Sequence, residues 1–137
     1  MSARDELNTL FDRSIQVALH LVEKHGSHMP FAVGLTTDGE IQNIAADDSD
    51  LPGAEALHEW LVDYVKKAIS IGHFRAIAIA RNIELTSKEG VTSDAVEVTL
   101  DHLNDDAVVC YLPYRLDAGG ISVGQVSAAE AETTLFP

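Results

Sequence analysis

Arg75-Ala76-Ile77-Ala78-Ile79-Ala80-Arg81-Asn82-Ile83-Glu84-Leu85 is the stretch that decides the fold. Its period is two, which is the period of a β-strand. Ile77, Ile79, Ile83 and Leu85 take one side, and Ala76, Ala78 and Ala80 take the other. The alanine side turns polar only at Asn82 and Glu84, so the first part of the strand should be covered on both faces. Small residues there let a helix lie close to the sheet.

Downstream of this strand the pattern is a meander. A loop is expected over Ser87 to Ser93, around Lys88-Glu89-Gly90. Asp94 to Leu103 alternates Val96, Val98 and Leu100 with Glu97, Thr99 and Asp101, the pattern of a strand with one solvated face. Asn104-Asp105-Asp106 should turn the chain, and Ala107 to Leu112 is an apolar run that reads as a buried strand. Pro113 cannot donate to a ladder, so the strand should bulge or lose a neighbour there. A turn at Asp117-Ala118-Gly119-Gly120 and a last strand over Ile121 to Val126 follow, and residues 128–137 read as a short polar tail.

Upstream, Leu7, Leu10, Phe11, Ile15, Ala18 and Val22 recur at helical spacing. The helix is expected from Asp5 to His25, begun by Ser2 with Asp5 and closed by Gly26. Phe31–Thr37 and Glu40–Ala45 flank Asp38-Gly39, a two-residue hairpin signal that would set Val33 opposite Ile44. A second helix is expected from Ala54 to Ile71, with Ala54, Leu57, Leu61, Tyr64, Val65 and Ala68 as its apolar stripe. The expected fold is α+β: two helices on an antiparallel sheet of five or six strands, in the order α-β-β-α-β-β-β-β. Its 137 residues make one domain.

Nine basic residues oppose 22 acidic ones, a net charge of −13. That argues against nucleic acid and anionic membranes, which need basic footprints. One cysteine, Cys110, excludes an internal disulfide. The segment Ser2 to Asn8 lacks the apolar stretch of a signal peptide, so a cytoplasmic location is expected.

Chemistry is poorly announced. His25 and His28 lie three apart but lack the second spaced pair of a zinc site. Asp48, Asp50, Gly53 and Glu59 fall at calcium-loop positions one, three, six and twelve. Pro52 at position five and Glu55 at position eight break that pattern. Glu97 with Asp101, and Asp105 with Asp106, read as solvated carboxylates, and Cys110 reads as inert packing in an apolar run. No catalytic residue, metal site or cofactor is expected. Tyr111, Tyr114 and Arg115 bracket Pro113 and are residue types favoured at interface anchors.

Pro30-Phe31-Ala32-Val33, followed by Thr37-Asp38-Gly39-Glu40-Ile41, resembles a segment of small bacterial proteins of uncharacterised role. Those proteins also carry a Leu-Pro-Tyr-Arg block in a late strand, here Leu112–Arg115. The resemblance spans most of the chain, implies a strand start, a hairpin turn and an edge strand, and brings no functional residue with it. The element order is also similar to roadblock and profilin-like architectures, which implies dimerisation or regulatory binding by analogy of fold alone. Three functions follow as expectations. The first is a non-enzymatic interaction module that self-associates, as a homodimer. The second is an immunity- or chaperone-like protein that binds one basic partner. The third is a small hydrolase or isomerase, for which His58, His73 or His102 must meet a carboxylate in a pocket.

Overall fold

The structure, a computed structural model, describes residues 2–26, 28–45, 53–131 and 135–136. The elements run α1 (Ala3–His25), β1 (Phe31–Thr36), β2 (Ile41–Ile44), α2 (Ala54–Ser70), β3 (Phe74–Thr86), β4 (Thr92–His102), β5 (Asp105–Asp117), β6 (Gly120–Val123) and β7 (Ser127–Glu130). All strands pair antiparallel, in the order β2-β1-β3-β4-β5-β6, with β7 also on β5.

Strand β3 lies inside this sheet, and its two faces feed two different cores. Ala76, Ala78 and Ala80 pack with Leu7, Leu10, Ala18 and Val22 of α1, together with Val33, Val96, Val98 and Leu100. Ile77 and Ile79 pack with Leu61, Val65 and Ile69 of α2, together with Ala32, Phe74 and Phe136. The helices therefore sit on opposite faces, and the row of alanines lies under α1. At α1, Ser2 and Asp5 form a reciprocal capping box, and Gly26 at φ 85° closes the helix in the left-handed conformation.

The sheet has seven strands, against the five or six expected. The additional strand, β7, lies in the segment read as a tail. Its sequence, Ser-Ala-Ala-Glu, is exposed at all four positions, so it carries no burial pattern to detect. It pairs with Val108 to Tyr111, whereas β6 pairs with Tyr114 to Asp117. The outer neighbour of β5 thus changes at Leu112-Pro113, as the missing proline N–H anticipates. The inner pairing runs straight through, Ala95 facing Pro113, so β5 is thirteen residues long. It starts at Asp105, and the turn before it is Leu103-Asn104.

The first hairpin is shifted by one residue from the expected register. Ala32 faces Ile44, and Val33 faces Asn43. The Thr36 N–H donates to the Glu40 carbonyl at 2.8 Å, closing a three-residue loop with Gly39 at φ 92°. The odd loop length moves Ile44 to the α2 side, where it packs against the second core.

Strand β4 is not one-sided. Asp101 is 2% exposed and Glu97 9%. The Asp101 carboxylate accepts the backbone N–H groups of Leu135 at 2.6 Å and Phe136 at 3.1 Å. Phe136 enters the α2-side core, so the end of the chain is fastened over the face expected to be solvated. Gly34 is a second point of close fit. A Cβ there would lie 2.7 Å from Phe74 Cδ1, with Cε1 nearer still. Phe74 is buried and cannot swing away. Gly34→Ala is expected to lower stability by about 1–3 kcal/mol through overpacking, read as a lower urea midpoint at unchanged m-value. An unchanged midpoint would show that the ring has room.

Candidate functional site

Three groups of polar side chains deserve comparison: a buried ionic cluster, a half-buried ion pair beside α2, and an open surface at the end of the long strands.

The buried cluster joins α1, β3 and the end of β4. Glu6 falls on the stripe formed by Leu10, Ser14, Ala18 and Val22, and is itself buried. Arg75 Nε donates to both of its carboxylate oxygens, at 3.3 and 3.1 Å, and the Arg75 terminal nitrogen Nη2 makes a short contact with Oε2. Nη1 donates to the Thr37 carbonyl at 3.1 Å. His102 completes the group. Its Nδ1 accepts the Asn104 N–H at 2.9 Å, so the proton sits on Nε2, which donates to Glu6 Oε1 at 2.8 Å. The Arg75 guanidinium holds the Glu6 carboxyl below its usual range; burial opposes this, and the His102 hydrogen bond adds to it. A crevice of about 90 Å³ adjoins Glu6 and Arg75, walled by Thr9, Leu10, Leu35, Gly39 and Ile41. The His102 side chain is 3% exposed and does not line it. Glu6 and Arg75 escaped the sequence reading. The available signal was a lone acid at the correct helical phase of an apolar stripe.

The second group pairs Arg81 with Glu97, directly opposite each other on β3 and β4, with Nε–Oε1 at 2.6 Å. Tyr111 stands next in that row on β5. His58 of α2 feels both charges: burial and Arg81 lower its proton affinity, while Glu97 and Glu59 raise it. Of the three histidines proposed for acid–base work, His102 meets Glu6, His58 lies near Arg81–Glu97, and His73 hydrogen-bonds Gln42 at 3.1 Å. They do not converge.

The third group contains the residues expected at an interface. Beyond Ala80, strands β3, β4 and β5 continue with β6 as an arm. Two open grooves flank it, of about 540 Å³ and 430 Å³, and no helix residue lines either. The larger is walled by Leu85, Val91, Pro113 and Val123; the smaller by Glu84, Asp94, Leu116 and Asp117. Tyr114 and Arg115 border both. Tyr114 is buried, and its hydroxyl makes a short hydrogen bond to Asn82 Oδ1. Burial and the nearby Asp94 push its phenol up. Arg115 is exposed and has no hydrogen-bond or ion-pair partner among the described residues. Tyr111 is half-buried and lines neither groove.

The remaining candidates are dispersed. His25 is exposed at the end of α1, while His28 is buried. His28 Nδ1 donates to the Met29 carbonyl at 3.1 Å, and its Nε2 is buried without a partner. Burial pushes its proton affinity down. Asp48 and Asp50 lie outside the described residues, and Glu59 is exposed on α2. Among the described residues, no group of three or more metal-ligating side chains is close enough to hold an ion. Cys110 packs against the α1-side core, and burial pushes its thiol up. Asp105 is ion-paired with Arg4 at 3.2 Å. No described helix is long and apolar enough to cross a membrane. No family model, curated protein or solved structure matches this chain.

The buried titratable groups make stability depend on acid in two windows. The folded proton affinity of His28 is lowered, so the unfolded chain binds the proton first and stability falls as pH drops below about 6.5. The folded pKa of Glu6 is also lowered, so its contribution is complete above about 4.5 and is lost as pH falls through the folded value. Urea titrations across pH should show both losses. His28→Leu is expected to flatten the upper window, and Glu6→Gln the lower. At pH 7, Glu6→Gln should cost about 3 kcal/mol, the low end for breaking a buried pair, because Arg75 is a third exposed. A pH profile identical in variants and wild type would refute the assignment.

Proposed function

We propose that this protein is a self-associating interaction module whose docking surface is the β3–β6 arm. One observation carries the reading: the two grooves that meet at Arg115 lie where neither helix lines the sheet, and apolar residues stand exposed around them. Val91 is 51% exposed, Val123 52%, and Leu116 is also exposed. Polar groups elsewhere are largely engaged with one another. Glu6, Arg75 and His102 exhaust much of their bonding capacity inside the cluster, and Asp101 is taken up by the end of the chain. Such groups serve packing and register more readily than turnover of a substrate.

A second reading has its own support. The net charge of −13, with Glu84, Asp94 and Asp117 lining one groove, favours a single basic partner. Its binding would weaken steeply with added salt, which an apolar docking surface would resist.

Sedimentation velocity across the micromolar range tests the first reading. Wild type should show concentration-dependent association, and Val91→Asp with Val123→Asp should abolish it. Both positions are exposed, so the variant's circular dichroism and thermal midpoint should match wild type. A wild-type chain that stays monomeric throughout would overturn the reading.

A further inference from the structure

Arg115 stands in a cross-strand row with Leu85, Ser93 and Ser122. Leu85 faces Ser93 across β3–β4, and Arg115 faces Ser122 across β5–β6. The Asp94–Tyr114 pairing, carried on by one residue, sets Ser93 beside Arg115. All four line the larger groove, on the side of the sheet that Ile77 and Ile79 share. Glu84, Asp94 and Tyr114 form the neighbouring row, which points to the opposite face. No described carboxylate lines the larger groove, in a chain with 22 acidic residues, and Arg115 is the single charge there. Its donors are also uncommitted. Among the described residues, neither the two serine hydroxyls nor the guanidinium has a hydrogen-bond partner. Asp117, two residues along β5, instead accepts the Gly119 N–H at 2.8 Å. Arg13 is likewise exposed and unpaired, but it stands on α1 and borders neither groove.

A guanidinium between two free hydroxyls presents only donors, and apolar residues wall the rest of the groove. We infer that the larger groove binds a small aliphatic carboxylate, its head group held by Arg115 between the Ser93 and Ser122 hydroxyls and its tail laid along Pro113, Leu85 and Val91. The planar fork of arginine can bind both carboxylate oxygens at once. One guanidinium balances one carboxylate. A phosphate dianion would keep an unbalanced charge in a chain that already carries −13. Pro113 shares the face of Arg115 two residues away, and Leu85 lies two strands across, about 10 Å from it. A medium-length acyl chain covers that distance, and the groove of about 540 Å³ has the size of a small-molecule site. The strands carrying Ser93 and Arg115 are each paired on both sides, so they offer no free edge to which an extended peptide could add. This site goes beyond the self-association proposed above and does not require it.

Titration of the full chain with octanoate, followed by amide NMR shifts, tests the site. The salt is held at about 0.15 M, where a screening length of about 8 Å mutes the repulsion between an anion and an acidic chain. Wild type should bind with a Kd of about 1 mM or tighter, with shifts centred on Ser93, Arg115 and Ser122. Octanol lacks the charge and acetate lacks the tail, so each should bind about tenfold more weakly or worse. Arg115→Gln should weaken octanoate binding about tenfold or more. Arg13→Gln, which removes an arginine outside the groove, should leave it unchanged. Ser93→Ala with Ser122→Ala should weaken it about threefold or more. None of these side chains has a partner among the described residues, and circular dichroism confirms that each variant folds. Octanoate that binds Arg115→Gln as well as wild type, or that loses equal affinity on Arg13→Gln, would overturn the inference. So would a wild-type chain without shifts at about ten times that concentration. Sedimentation reads the interaction proposal separately: a monomer that binds octanoate would overturn that reading and leave this one standing, and an associating chain that ignores octanoate would do the reverse.

Discussion

Double burial of β3 is the constraint on which the rest of the structure depends. A strand with one solvated face needs only one partner layer. Ala76, Ala78 and Ala80 alternate with Ile77 and Ile79, all buried, so this strand needs two. The small side chains admit α1 closely and the large ones fill the space beneath α2. Everything placed after that is a consequence: β1 and β4 flank β3 because both of its edges must be paired, and the first hairpin must deliver Ile44 to the α2 side.

Burying both faces also forces polar groups into the interior, and the chain satisfies them locally. Glu6 enters the α1 interface at the phase of an apolar position, and a carboxylate there would be costly alone. Arg75 arrives from the adjacent strand and His102 from the next, so one acid is shared by two donors. Asp101 solves the same problem with backbone N–H groups, and so fastens the chain's end to the sheet. Glu97 is matched by Arg81 across the ladder. Only His28 Nε2 is left buried and unpartnered among the described side chains.

Much of this architecture was legible in the sequence, for a physical reason: periodicity records burial. Both helices, the glycine end of α1, the two faces of β3 and the change of neighbour at Pro113 follow from side-chain period and from glycine and proline chemistry. The errors arose where burial is produced by remote segments. Glu97 and Asp101 alternate like solvated residues because alternation cannot reveal that the Leu135 and Phe136 N–H groups will engage Asp101, or that Arg81 will pair with Glu97. Strand β7 is held by backbone pairing with β5 and displays nothing but exposed side chains. The hairpin register depended on whether the loop has two residues or three, and Asp38-Gly39 permits either. At the candidate site, sequence singled out Tyr111, Tyr114 and Arg115 together, whereas strand alternation separates Tyr114 from the other two. Glu6 and Arg75, distant in sequence, carried no joint signal.

The arm itself follows from the lengths of the elements. At 1.5 Å per residue the seventeen residues of α2 span about 25 Å, whereas the thirteen of β3 at 3.3 Å span about 43 Å. A helix of that length cannot cover the whole strand. The residue types change where cover ends: after Ala80 the strand reads Arg81-Asn82-Ile83-Glu84-Leu85, and burial gives way to partial exposure. Alternation persists through this change, so the strand keeps an apolar side at Leu85 and a charged side at Glu84. A purely solvated extension would not need the apolar side. Leu85, Val91, Pro113 and Val123 gather around one groove while Glu84 and Asp94 stay on the other. The uncovered end of the sheet therefore retains the two-faced pattern of its buried half.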